Sequence, residues 1–250
     1  MRPPAENAQK LAEPLLLSKA TPLAEYLKTL SAEQIAKIMA ISPPLAAKTH
    51  DLIGGWSARP KRLRSAIDSF LGDIYSGLQV GEWSAKDRQY ANRHLRILSG
   101  LYGILQPLDG IYPYRLEMGY RLPDEPYANL YKYWGPAIAE TLPAKEPIVN
   151  LAAVEYSKIV TAFVNPQRLI TPSFLTVSPK TGQPTFVVVH AKIARGALAA
   201  WLIKNRVDNL IKIKEFAELG YKYNASLSTP QAPVFVCQKF GGLGLSVRLK

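Results

Sequence analysis

The chain lacks the residues and motifs that mark several common kinds of protein. Its one cysteine, Cys237, excludes an internal disulfide, and its three histidines are far apart and have no cysteine near them. Local spacing therefore builds neither a zinc finger nor an HExxH site, and we predict no metal and no cofactor. GxGxxG, Walker and GxSxG motifs are also absent, so the sequence does not indicate an NAD-dependent enzyme, an ATPase or a serine hydrolase.

Long apolar runs are missing as well. Apolar runs such as 186–189 are far below the roughly 18 residues that a membrane span needs. The opening sequence MRPPAENAQKLAEPLLL is interrupted by Glu13 and Pro14 and has no unbroken apolar region of the kind found in signal peptides. We therefore expect a cytoplasmic protein without a membrane partner, and we expect it to be a monomer.

Positive charge is what the chain has in excess. Its 250 residues are 48% hydrophobic, enough to bury a sizeable core, and it carries 31 Lys and Arg against 19 Asp and Glu. The formal net charge of +12 favours a polyanionic partner such as nucleic acid.

The run from His94 to Gly119, HLRILSGLYGILQPLDGIYPYRLEMG, is the most informative segment. Ser84 and Asp87 form a capping box that starts a helix, glycines then bracket Leu101 and Tyr102 in a turn, and alternation around Arg115 predicts a half-buried strand. Such a turn, with arginines beside it, is typical of a helix-hairpin-helix that grips a phosphate backbone. The alternative is an ordinary helix-turn-strand in which the glycines only cap the helix.

Other basic positions lie on predicted helices. Pro60 begins a helix with Lys61 and Arg64 on a basic face. The glycines around residues 73–76 then predict a short extended piece that places Asp73 and Tyr75 on one side, at the edge of a pocket.

The spacing of apolar residues changes in the second half of the sequence, which predicts mixed α/β structure. Ile148-Val149 is read as a strand that leads into Asn150, and Thr185–Val189 as a strand that leads into His190. In the helix that follows, Lys192 and Arg195 lie in the first turns, where a helix N-terminus favours an anion. The alternative is that both are solvated surface charges.

An enzyme hypothesis comes from polar residues at strand ends and helix starts, where active sites form. In it Glu155 or Asp73 acts as general acid or base, and Lys158 or Lys192 acts as nucleophile or stabilises charge on a nucleotide base or DNA lesion, as in a glycosylase or lyase. The tentative catalytic set is Asp73, Tyr75, Asn150, Glu155, Lys158, Lys192 and Arg195. Ion pairs that only orient loops are the alternative explanation for Glu155, Lys158 and Arg195.

Several blocks together resemble the peroxide-stress protein YaaA family. They are FLGDIYSGL at 70–78, the run at 94–119, Asn150-Leu-Ala, Glu155-Tyr156, Lys192 and Ala194-Arg195-Gly196. The resemblance implies a single α/β domain with a mixed sheet surrounded by helices and a helix-hairpin-helix. Over residues 1–250, it gives a helix-rich part at 1–110 that includes a hairpin motif at 84–112, and a mixed α/β part at 113–250.

The same resemblance implies a protein of the hydrogen peroxide stress response that binds duplex or structured DNA in a basic cleft. The turn would be the hairpin, with Arg96 and Arg115 flanking it. The predicted DNA-binding residues are Lys61, Arg64, Arg93, Arg96, Ser99, Gly100, Leu101, Tyr102, Gly103 and Arg115. The chain departs from the family pattern in two places. It opens with MRPPAENAQK where the family has a short strand followed by Ser-Pro-Ala-Lys, so that strand and its lysine are expected to be missing. Ala153 replaces the serine that usually follows Asn-Leu-Ala.

Overall fold

The computed structural model describes residues 1–4 and 11–244, and these form a mixed α/β structure, as predicted. The helices are α1 Leu17–Lys28, α2 Ala32–Met39, α3 Pro43–Gly54, α4 Ala66–Ser69, α5 Asp73–Leu78, α6 Ala85–His94, α7 Leu130–Trp134, α8 Ala137–Glu140, α9 Val154–Thr161 and α10 Val188–Lys204. The strands are β1 Arg64–Ser65, β2 Ile97–Ser99, β3 Gly103–Leu105, β4 Gly110–Ile111, β5 Ile148–Val149, β6 Leu169–Ile170, β7 Ser173–Val177, β8 Pro184–Thr185, β9 Tyr221–Tyr223 and β10 Val234–Cys237. No helix in this part of the chain is long and apolar enough to cross a membrane.

The chain divides into two compact units. The first unit comprises Met1–Phe70, Arg96–Pro143 and Val154–Phe163, and the second comprises Leu71–Leu95, Ala144–Ala153 and Val164–Lys250. The expected single domain over residues 1–250 stays a prediction. The expected loss of the family's N-terminal strand falls partly on residues 5–10, outside the described residues.

The first unit is built from helices and short two-stranded ladders. Ser31 and Gln34 form the predicted capping box at the start of α2, and α3 begins at Pro43, where a missing N–H costs nothing. β1 pairs with β4, and β2 with β3, both antiparallel. The predicted helix from Pro60 is wrong, because the chain pairs as β1 at Arg64 and only the four residues of α4 are helical.

The second unit contains a four-stranded mixed sheet in the order β8-β7-β10-β9. β7 and β10 run parallel with Phe174 opposite Phe235, and the outer strands are antiparallel to their neighbours. Helix α10 contributes Ala191, Ala194 and Leu198 to the core that covers this sheet, as predicted from their spacing. The predicted strand 185–189 is wrong beyond Thr185, because Val188 already begins α10.

Two helices of the second unit cross with their backbones in contact. A Cβ atom on Gly77 of α5 would lie 2.0 Å from the carbonyl oxygen of Ile193, and one on Gly196 of α10 would lie 1.9 Å from that of Ile74. Gly77 therefore packs a helix rather than breaking one, and the predicted extended piece at 73–76 is wrong because these residues belong to α5.

The predicted helix-hairpin-helix at 84–112 is not found. Helix α6 begins with the predicted Ser84–Asp87 capping box, but the chain after it forms the β-hairpin of β2 and β3 rather than a second helix. Moreover, α6 belongs to the second unit and the hairpin to the first.

Candidate functional site: a tyrosine and glutamate cluster

The segment after β4 carries the polar side chains of the strongest candidate site in the first unit. Tyr114, Leu116 and Met118 are buried, while Arg115 and Glu117 between them are half-buried. The predicted alternation of burial is thus confirmed, but the predicted strand is wrong, because residues 112–119 are not assigned to a strand. Arg115 and Glu117 therefore share a face.

Helix α9 brings two further polar residues to this segment. The phenol of Tyr156 donates a hydrogen bond to Oε2 of Glu117, and the backbone N–H of Gly119 donates to Oε1 of Glu155 at 2.8 Å. Tyr131 fixes the start of α9 by donating from its hydroxyl to the carbonyl oxygen of Glu155 at 2.8 Å. We call Arg115, Glu117, Tyr120, Glu155 and Tyr156 the Tyr–Glu cluster.

The two phenols of the cluster are held in their protonated forms. Burial raises the pKa of Tyr156, and the charge of Glu117 and its hydrogen bond raise it further. Burial also raises the pKa of Tyr120, against the neighbouring Arg115, whose charge lowers it. Both tyrosines are therefore hydrogen-bond donors at neutral pH, and Tyr156 orients the carboxylate of Glu117.

The predicted phosphate-gripping turn lies inside the first unit. Ser99, Leu101 and Tyr102 are each at most 2% exposed, and Gly100 and Gly103 are buried as well. The Ser99 hydroxyl accepts from the N–H of Tyr102 at 2.8 Å, and the Tyr102 hydroxyl accepts from Nε1 of Trp56 at 2.8 Å. These groups are satisfied within the protein, and the DNA-binding role of the five residues stays a prediction without support from their surroundings.

The glycines of this turn meet packing needs. A Cβ on Gly100 would lie 2.4 Å from the carbonyl oxygen of Leu116, and one on Gly103, whose φ is +71°, would lie 2.8 Å from the Trp134 ring. Nε1 of Trp134 also donates to the carbonyl oxygen of Gly100 at 3.0 Å. Glycine is thus required by close approach of the chain to itself.

The arginine that precedes the turn faces a buried acid. Burial lowers the pKa of Arg96, whereas nearby Asp109 raises it. Asp109 is 1% exposed, and burial raises its pKa to about 6, although the Gln106 N–H and Arg96 favour the charged form. Arg96 is therefore half-buried, beside the carboxylate that its charge offsets.

Other predicted DNA-binding cations have different surroundings. Nε of Arg64 donates to the carbonyl oxygen of Pro3 at 2.7 Å, and the guanidinium of exposed Arg93 lies 6.0 Å from the ring centre of Tyr90. Lys61 is exposed in the segment between α3 and β1, together with Arg59 and Arg62. We call residues 59–64 the basic loop.

The tentative catalytic residues are divided between the two units. Glu155 and Lys158 belong to the first, and Asp73, Tyr75, Asn150, Lys192 and Arg195 to the second. Within the second, Oδ1 of Asn150 accepts from the N–H of Ala152 at 3.3 Å, and Nη1 of Arg195 donates to the carbonyl oxygen of Ala152 at 3.3 Å. Asn150 and Arg195 thus hold one loop.

The remaining residues of that set lie on helices α5, α9 and α10. Asp73 occupies the first position of α5, and Tyr75 lies half-buried in the same helix. Lys192 is exposed on α10, and Lys158 is exposed on α9 one turn after Glu155. The role of these two lysines as nucleophiles stays a prediction.

Sequence reasoning missed Glu117, Tyr120 and Tyr156 as site residues. Two signals pointed to Glu117 and Tyr156: the alternation that puts Glu117 on the face of Arg115, and the Glu155-Tyr156 pair noted among the family blocks. The contact between Tyr156 and Glu117 joins residues 39 positions apart, so neither signal predicts that they meet.

Comparison with known proteins decides the family. The family model described as "Peroxide stress protein YaaA" matches residues 1–227. The chain belongs to this family. A UPF0246 protein of Salinispora tropica is 59% identical over 99% of this chain and 94% of its own length. A UPF0246 protein of Legionella pneumophila (strain Lens) is 37% identical over 92% of both chains, and one of Burkholderia mallei (strain SAVP1) is 38% identical over 89% of both. Membership of the YaaA family is consistent with a role related to peroxide stress.

Proposed function

We propose that this chain is a DNA-binding protein of the peroxide-stress response, and that the basic loop supplies its phosphate contacts. The observation that carries the proposal is the state of Arg59, Lys61 and Arg62. All three are exposed, and no ion pair to any of them is found in the described part of the chain.

The sequence around the loop supports a polyanionic ligand. No acidic residue occurs between Asp51 and Asp68, so no carboxylate in this stretch competes for the three cations. A phosphate that binds an exposed Lys or Arg releases condensed counterions, which makes affinity strong at low salt and independent of sequence. The net charge of +12 adds a long-range attraction for DNA.

The buried turn is not needed for this proposal. Since the residues at 99–103 are enclosed by the protein, an exposed loop is the better source of contacts to a backbone that lies outside the protein surface. Lys61, one of the residues predicted from the sequence, is part of this loop.

The test is the salt dependence of duplex DNA binding by fluorescence anisotropy. The triple variant Arg59→Ala/Lys61→Ala/Arg62→Ala is expected to lower the slope of log K against log salt by about 2.7, or about 0.9 for each lost contact. The matched control is Lys145→Ala/Lys180→Ala/Lys239→Ala, which removes three exposed cations elsewhere. An equal loss in both variants, or none in the first, contradicts the basic loop as the contact.

A second candidate function is an enzyme that acts on a nucleotide base, with the Tyr–Glu cluster as its site. The favouring observation is that Glu155 and Glu117 are oriented by donors from the protein while each keeps an oxygen without a donor among the described residues. A carboxylate held within reach of a substrate proton can act as general acid or base, and its loss then costs roughly 100-fold or more in rate. Release of free base from nucleosides or damaged DNA, compared between wild type and Glu155→Gln, checks this function.

A further inference from the structure

Opposite charges meet around one aromatic side chain in the Tyr–Glu cluster. The charges of Arg115, Glu117 and Glu155 all act on the phenol of Tyr120. Tyr120 and the three charged residues are all half-buried. A ligand placed here would meet acceptors, a cationic donor and a ring.

Hydrogen-bonding capacity is left over in the cluster. Oε1 of Glu155 accepts from Gly119 and Oε2 of Glu117 accepts from Tyr156, but Oε2 of Glu155 and Oε1 of Glu117 have no donor in the part of the chain that the structure describes. Nε of Arg115 is buried and has no hydrogen-bond partner among the same residues. An unpaired buried donor such as Nε of Arg115 is costly unless something else pairs with it.

The carboxylate of Glu155 is reachable because residue 119 is a glycine. Gly119 is exposed, and a Cβ atom there would lie 2.9 Å from Oε1 of Glu155. Any other residue would push against that carboxylate. The absent side chain leaves the edge of the carboxylate open to a flat ligand.

We propose that the Tyr–Glu cluster binds the Watson–Crick edge of a guanine base. Guanine presents ring and amino N–H donors beside the O6 acceptor. A carboxylate accepts the two N–H donors, a guanidinium such as that of Arg115 donates to O6, and a tyrosine ring stacks on the base. Adenine presents one amino group beside a ring acceptor, and hypoxanthine lacks the amino group that the carboxylate requires.

This guanine site rests on the second candidate function and not on the basic loop. Guanine binding and duplex DNA binding can therefore fail separately. The triple variant of the basic loop is expected to bind guanosine as wild type does, which distinguishes the two proposals.

The experiment is isothermal titration of the full chain with guanosine, inosine and adenosine. Guanosine is expected to bind at least about tenfold more tightly than inosine, because one charge-assisted hydrogen bond is lost, and adenosine is expected to bind more weakly still. Glu155→Gln and Gly119→Ala are each expected to weaken guanosine binding by about tenfold or more. Gly119→Ala keeps the charge and displaces the carboxylate, so it separates position from charge.

Matched controls are available in the same unit. Glu140→Gln removes an exposed carboxylate of α8, and Gly54→Ala adds a methyl group where no atom lies within 4 Å; both are expected to bind guanosine as wild type does. Circular dichroism verifies that each variant is folded. No detectable guanosine binding, equal affinity for inosine, or unchanged affinity in both Glu155→Gln and Gly119→Ala overturns the proposal.

Discussion

The turn at 99–103 and the basic loop at 59–64 belong to the same unit and have opposite surroundings. The turn has glycines and a neighbouring arginine, yet it is enclosed by Trp134, Leu116 and Trp56. The loop has no glycine and no regular structure before β1, yet three of its four cations are exposed. A phosphate-binding motif is therefore defined by the accessibility of its donors as much as by its residue types.

The largest effect is expected from a methyl group added to the turn, which tests whether the turn is enclosed by the protein. Gly103→Ala is expected to lower the free energy of unfolding by about 3 kcal/mol, since alanine is strained at a positive φ and would overlap the Trp134 ring. Urea denaturation measures the loss. Gly54→Ala is the control and is expected to change stability by less than about 1 kcal/mol; equal effects in both would mean that the turn tolerates a side chain and is less enclosed than described.

The buried acid beside the turn is expected to make stability depend on pH. Burial raises the pKa of Asp109 from its ordinary value of 3.8 to about 6, so the folded protein holds this proton more tightly than the unfolded chain. Its contribution to stability is complete below about pH 4 and falls as pH rises through 6, by at most about 3 kcal/mol. Asp109→Asn is expected to remove this slope between pH 4 and 6 in urea denaturation. A wild-type slope retained in the variant would assign it to another group.

A smaller effect is expected from a single hydroxyl of the turn. The Tyr102 hydroxyl accepts from Nε1 of Trp56 at 2.8 Å and from the N–H of Tyr112 at 3.1 Å. Tyr102→Phe leaves both donors unpaired in the interior and is expected to cost about 2 kcal/mol in the free energy of unfolding. Tyr90→Phe serves as the control, because no hydrogen bond of its hydroxyl is found in the described chain. A loss in Tyr102→Phe no larger than in the control would show that water replaces the hydroxyl.

Local features of the fold could be predicted from the sequence because their causes lie within a few residues. The capping boxes at Ser31 and Ser84 join groups three positions apart, and the spacing of Ala191, Ala194 and Leu198 decides which face of α10 is buried. The mixed α/β class and the family also followed from the sequence.

What could not be predicted depends on contacts between distant residues. The enclosure of the turn comes from Trp134, and the orientation of Glu117 comes from Tyr156, each more than 30 positions away. The presence of a glycine does not reveal whether it makes room for a ligand or for another segment of the same chain. The helix-hairpin-helix expectation was wrong for that reason. Gly77 misled in the same way, since the partner that requires it, α10, begins more than 100 residues later.

The reciprocal glycines of α5 and α10 have a consequence for mutational scanning. Every substitution at residue 77 or 196 would separate the two helices, whatever the chemistry of the new side chain, because the obstacle is a backbone carbonyl oxygen in both cases. Both positions would then score as intolerant in any selection for activity, although neither belongs to the proposed binding residues. Such scores at these two positions report the distance between helix axes, and a map of function drawn from tolerance alone would place a false site there.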